Sequence, residues 1–147
     1  MTDIALDSRP IAKAPWHVWA VGMLSVLWNG AGAYTIMTAQ AGVLPDLEPG
    51  EAAYYAAQAW WFVIVTDLAL VAAVLGGVAL VLRSRIAVPL FWVSLAAIVI
   101  ANGYDLMMGT SRMFLNAAAL GVSVAIWIIA ALELWYAHAM RKRGVLR

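Results

Sequence analysis

The stretch Ala59–Leu82, AWWFVIVTDLALVAAVLGGVALVL, is too long and too apolar for the surface or core of a water-soluble domain, and its spacing predicts a membrane-crossing helix. It opens on Trp60 and Trp61, carries one acid, Asp67, and ends on Arg83-Ser84-Arg85. An aromatic end, a basic end and a single costly charge are the marks of a span whose direction is set by its flanks. The rest of the chain repeats the pattern. With 65% hydrophobic and 12% charged residues among 147, against about 25% charged in soluble proteins, the expectation is an all-α integral membrane protein.

Roughly 20 residues per span plus short connections leave room for four helices and no separate soluble domain. The expected helices cover about 16–38, 59–82, 89–108 and 113–138. They form one transmembrane domain over 16–140, between an N-terminal arm (1–15) and a basic tail (141–147). The arm carries Pro10 and Pro15 and no apolar period. Arg9 and Lys13 before an apolar run, with Ala39-Gln40-Ala41 after it, imitate a signal peptide. The apolar part exceeds the usual 7 to 15 residues, so the first helix is expected to be retained. Pro45, Pro49, Gly50 and the acids Asp46, Glu48 and Glu51 mark a loop after it, and Glu51 begins a stretch whose Tyr54, Tyr55, Trp60 and Trp61 suit headgroup depth. Pro89 suits the first turn of the third helix, where its missing N–H costs little.

This arrangement places Arg9, Lys13, Arg83, Arg85, Arg141, Lys142, Arg143 and Arg147 on one side and only Arg112 on the other. The positive-inside rule then puts both termini in the cytoplasm. A multi-pass protein in the lipid bilayer of a bacterial inner membrane is the expected location.

Packing between helices in lipid relies on small residues. Ala69, Ala73 and Gly77 on the second span and Ala117, Gly121 and Ala125 on the fourth recur every four residues, and are expected to face each other or a partner. Gly22, Ser25, Asn29 and Gly32 share a face of the first span. Asn29 with Tyr34 and Met37 loosely echoes Asn102 with Tyr104 and Met107, a pattern that chance among apolar segments also produces.

Four polar residues, Asn29, Asp67, Asn102 and Asp105, form a candidate intramembrane site in the half of the bundle away from the basic ends. An acid at the depth of Asp67 needs a partner or a proton. It either serves proton or cation handling or is hydrogen-bonded to Asn29, Asn102 or Thr66; its angle on the helix also allows it to face another polypeptide. Asp105 is spaced to pair with Arg112, and Glu133 to meet Arg83 or Arg85 across the bundle. Trp28 and Trp127, away from the ends, are expected to pack or contact lipid. With no cysteine and two separated histidines, no metal site is expected, and no cofactor or nucleic-acid partner is indicated. No phosphate loop or nucleophile motif points to an enzyme.

The segments WHVWAVGMLSVLWNGAGAYTIMT, VLRSRIAVPLFWVSL and WYAHAMRKRGVLR resemble a family of small four-span bacterial inner-membrane proteins, often labelled sugar transporters. The likeness covers nearly the whole chain and is most specific at RSRIAVP and the terminal RGVLR. It implies topology and compartment. Two departures stand out: an acid is expected in that family where this chain has Thr35, and none where it has Asp67. The expected function is a non-catalytic accessory or structural subunit of a larger membrane complex, with other membrane subunits or a second copy as partners. The alternative is an oligomeric transporter of a small polar, sugar-like solute or of protons.

Overall fold

The computed structural model describes residues 14–108 and 117–147. Among these the chain is helical throughout, with five helices in place of the four expected: α1 (His17–Gln40), α2 (Pro49–Ala56), α3 (Trp60–Val81), α4 (Ala87–Met108) and α5 (Ala117–Lys142). The extra element is α2. Pro49 occupies its first turn and Glu51 complements the helix dipole there, so the stretch before the second span closes as its own eight-residue helix. Ala59, in extended conformation, separates it from α3.

Three helices are long and apolar enough to cross a membrane: α3, α4 and the part of α5 from Gly121 to Lys142. At 24 residues α1 has the length, but Ser25, Asn29, Thr35, Thr38 and three glycines dilute its apolar character. The first of the four expected spans is therefore the one not among these three; residues 109–116, where the expected start of the fourth and the Gly109–Arg112 turn fall, lie outside the described residues.

α3 is the central helix and packs along α1 and α4, whereas α5 rests chiefly on α4. Glycine sets the close approaches. A Cβ on Gly22 would come within 2.7 Å of Val81 Cγ2 and 3.2 Å of the Gly77 carbonyl; one on Gly77 would come within 2.9 Å of Ser25 Oγ and Val26 Cγ2. On the other side of α3, the Phe91 ring fills the space beside Gly76, 2.8 Å from where a Cβ would stand. The backbones thus meet as small-residue packing in lipid requires. Of the two alternatives expected for the stripes, the α3 stripe does not face α5: Gly77 packs on α1, while among the described residues nothing stands within 4 Å of a Cβ on Gly121. Ala125 is half-buried, and the side chain of Ala117 is outside the description. The stripe on α3 finds the glycine-bearing face of α1 because Gly22 and Ser25 leave a matching groove, and α5 rests on α4 instead.

The basic end is sealed by the last residues of the chain. Gly144, at φ +69°, turns the backbone after α5, and Val145 and Leu146 are buried in a cluster with Val18, Leu80, Val88, Phe91, Ala137 and Met140. The Arg147 N–H donates to the Arg83 carbonyl (2.8 Å) and the Arg85 N–H to the Arg147 carbonyl (3.0 Å). Arg83 Nε and Arg85 Nε donate to the carbonyls of Val145 (3.2 Å) and Leu146 (3.3 Å). The expected free basic tail from Arg141 is thus partly helix and partly a plug.

Candidate functional site

α1, α3, α4 and α5 line a partly open cavity of about 430 Å³ in the half of the bundle away from the basic end. α5 packs chiefly on α4 and little on α1. Ala69 and Ala73 of α3 and Ala101 of α4, which carry no bulk to fill the gap, form the cavity walls together with Ile98, Ile126 and Ile129. Asn29 and Glu133 lie on its wall toward the basic end, and Thr35, Thr66, Ser94 and Asn102 are the other polar residues along it.

Glu133 is 7% exposed. Asn29 Nδ2 donates to its Oε1 at 2.8 Å, and the same amide nitrogen also reaches the Ser25 carbonyl (2.9 Å) and Ser25 Oγ (3.3 Å). The ion pair expected between Glu133 and Arg83 or Arg85 is therefore replaced. Glu133 lies about two turns before the end of α5, level with the middle of α1, and the arginine side chains bond to the chain terminus instead. A second hydrogen bond between His17 Nδ1 and the Tyr136 hydroxyl ties α1 to α5 one turn nearer the basic end.

Glu133, Trp28 and Ile129 also line a second space of about 450 Å³ with Val21, Leu24, Ser25, Leu132, Trp135 and Tyr136. This groove runs along the seam between α1 and α5. Leu24, Leu132 and Trp135 are exposed on its outer side, so it opens sideways. Glu133 stands where the two spaces meet.

The four residues of the expected polar site are not gathered. Asn29 is engaged with Glu133. Asn102 lines the cavity wall but donates to the Ile98 carbonyl of its own helix (2.9 Å), as mid-helix asparagines do. Asp105 accepts from the Tyr54 hydroxyl at 3.1 and 3.2 Å, which pins α2 to the end of α4; Arg112, its expected partner, is outside the described residues. Burial, and then the neighbouring Asp105 carboxylate, hold the Tyr54 hydroxyl well above its ordinary pKa of 10.0. Burial followed by Glu51 raises Tyr55 as well. Nearby, the Tyr104 ring of α4 packs edge-to-face with Trp61 and at a tilt against Phe62 of α3, at ring separations of 4.7 and 5.4 Å.

Asp67 stands apart from all of these. Of its helix neighbours at three- and four-residue spacing, Ile64 and Val71 are exposed while Val63 and Leu70 are partly buried, so Asp67 stands at the margin of the face of α3 that packs, that of Ala69, Ala73, Gly76 and Gly77. Its Oδ1 is enclosed without a hydrogen-bond partner among the described residues, and so is Thr66 Oγ1 beside it. Neither Asn29 nor Asn102 reaches it.

The sequence reading treated Glu133 as a structural charge at the basic end and missed its place at a cavity. The available signal was its position: nine residues before the last helical residue, Lys142, places a carboxyl roughly 13 Å inside the helix end, too deep to reach the terminal arginines without a bend. Among the described residues, no group of three or more His, Asp or Glu side chains is placed to hold a metal. In comparisons with known proteins, the chain matches no family model, no curated protein and no solved structure.

Proposed function

We propose that this chain is a four-span protein of the bacterial inner membrane, with α1 as the fourth span and both termini cytoplasmic, acting as a non-catalytic accessory subunit of a larger membrane assembly. The basic residues clustered at one end of the bundle support the orientation, together with the acids Asp46, Glu48 and Glu51 at the other. The likeness to small four-span inner-membrane proteins supports the same topology, and its two most specific segments, RSRIAVP and RGVLR, touch each other at the sealed basic end.

The subunit reading rests on Asp67. A half-buried carboxyl group about 10 Å below the start of its span, with its Oδ1 enclosed and without a hydrogen-bond partner among the described residues, is not satisfied within the fold. Inserting such a group costs on the order of 2.5 to 3.5 kcal/mol near a helix centre, and a polar group on a neighbouring polypeptide offsets that cost. A sugar-like substrate fits less well. Each of its hydroxyls needs a partner, and the central cavity is walled mostly by alanine, leucine and isoleucine.

Affinity purification in mild detergent, with mass spectrometry of the co-migrating chains, tests the proposal. Wild type should carry a defined membrane partner, and Asp67→Leu should lose it while remaining folded. A wild-type protein that purifies alone as a monomer, or an Asp67→Leu variant that retains every partner, overturns the subunit reading. Cysteines placed at Glu48 and Arg143 test the orientation: the first should label from outside intact cells and the second only after permeabilisation.

A further inference from the structure

We propose that Glu133 anchors a binding site for a lipophilic monovalent cation, which enters sideways from the bilayer along the α1–α5 groove and lodges where that groove meets the central cavity. This goes beyond the subunit role and does not depend on Asp67 or on any partner.

The chemistry of the walls selects the ligand. Two adjoining spaces of about 430 and 450 Å³ each match the size of an organic molecule, and their linings are overwhelmingly aliphatic and aromatic. At their junction is one carboxyl group. Among the described residues, neither lining contains a Lys, Arg or His, so the wall supplies no positive charge to balance a carboxylate in an apolar surrounding. A ligand that brings a positive charge on an apolar body satisfies both features, because charges attract far more strongly at low dielectric than in water.

The other charge classes fit poorly. An anion meets a carboxylate of its own sign. A divalent metal takes six or more oxygen ligands, whereas the junction offers a single carboxyl group with an amide and a serine beside it. A polyhydroxylated solute lacks enough hydrogen-bonding partners.

Three side chains complete the site. The Asn29 amide holds Glu133 Oε1 at 2.8 Å and fixes the direction of the carboxyl group. Trp28 lines both spaces, so its indole is available to a cation bound between them. Leu24, Leu132 and Trp135, exposed along the outer side of the groove, give an apolar entrance that a strongly hydrated ion does not use.

The test is equilibrium dialysis of radiolabelled tetraphenylphosphonium against the purified chain in mild detergent, with radiolabelled tetraphenylborate, of the same shape and opposite charge, dialysed in separate cells. Saturable binding of the cation is expected, and none of the anion. Glu133→Gln, which keeps an acceptor for Asn29, should weaken binding at least tenfold, and Asp67→Asn should leave it unchanged. Ala130→Trp, which fills the central cavity while leaving the carboxyl group in place, should abolish it and keeps the test decisive if Glu133→Gln is not monodisperse. Binding in Glu133→Gln within twofold of wild type, equal loss in Asp67→Asn, full binding in Ala130→Trp, or saturable binding of tetraphenylborate would each overturn the site.

Discussion

Gly77 of α3 lies so close to Ser25 of α1 that a single methyl group on the glycine would stand 2.9 Å from the serine hydroxyl. Gly22, one turn away on α1, meets the Gly77 carbonyl in turn, and the two helices are locked at backbone distance. Gly121, by contrast, has open space around it among the described residues. Gly77→Leu should therefore lower the thermal midpoint in detergent sharply, by an overpacking cost of about 1–3 kcal/mol or more, and Gly121→Leu should leave it nearly unchanged. Differential scanning fluorimetry of the two variants checks the contrast; equal melting of both would mean that α3 and α1 are not in contact at Gly77.

The terminal plug is equally open to test. Leu146 is 1% exposed, against Leu80, Val88 and Phe91, and the backbone of Arg147 is bonded to the α3–α4 turn. Removing residues 145–147, or Leu146→Asp, is expected to loosen the basic end, since a buried charge without a partner is among the costliest substitutions. Limited proteolysis near Arg83 and Arg85 should become faster in both variants. If the cleavage rate does not change, the tail does not hold the turn.

Tyr54 supplies a pH prediction. Its hydroxyl pKa is raised by burial first and by Asp105 second, so the folded state favours the protonated phenol. Stability from this group is fully present below the ordinary tyrosine pKa of 10.0 and is lost as pH rises through the higher folded value. In an alkaline absorbance titration of the folded protein, Tyr54 should ionise later than free tyrosine. Tyr54→Phe should remove one late-titrating group and weaken the attachment of α2 to α4. A titration with no late component would contradict the buried Tyr54–Asp105 contact.

The Asn29–Glu133 bond predicts an asymmetry between its two partners. Asn29→Ala strips the carboxyl group of a donor deep in the bundle and should destabilise by about 0.6–2 kcal/mol, the span of values for hydrogen bonds between helices in lipid. Glu133→Gln preserves an acceptor and should cost less. Chemical denaturation in mixed micelles, comparing the two single variants with the double variant, measures the coupling; additive effects would show that the two residues do not interact.

Helix positions were legible in the sequence to within a few residues because hydrophobic length and proline placement are local quantities. α3 begins at Trp60 and ends at Val81 against an expected 59–82, and Pro89 falls in the first turn of α4. The break before α3 was not legible. Tyr54 and Tyr55 sit among good helix formers, and only the contact of Tyr54 with Asp105 on α4 shows where the separate α2 is held. The small-residue stripes on α3 and α5 look alike in sequence, yet one is a close contact and the other borders open space, since partner choice depends on which helix offers a matching groove.

By itself the sequence determined that this chain is helical, that it holds several apolar segments of membrane-crossing length, four by that reading against three helices that qualify by length and composition, and at which ends its charges gather, because each follows from the composition of a continuous segment. Only the tertiary structure decided which polar groups meet. Asn29, read beside Asp67, is bonded to Glu133, 104 residues away; Asp67, read as part of a shared site, is half-buried with its Oδ1 unpartnered among the described residues. The physical reason is rotation. A helix sequence gives the angular spacing of its own side chains, but which faces of α1, α3 and α4 turn toward one another depends on close contacts at Gly22, Gly76 and Gly77 that involve three helices at once.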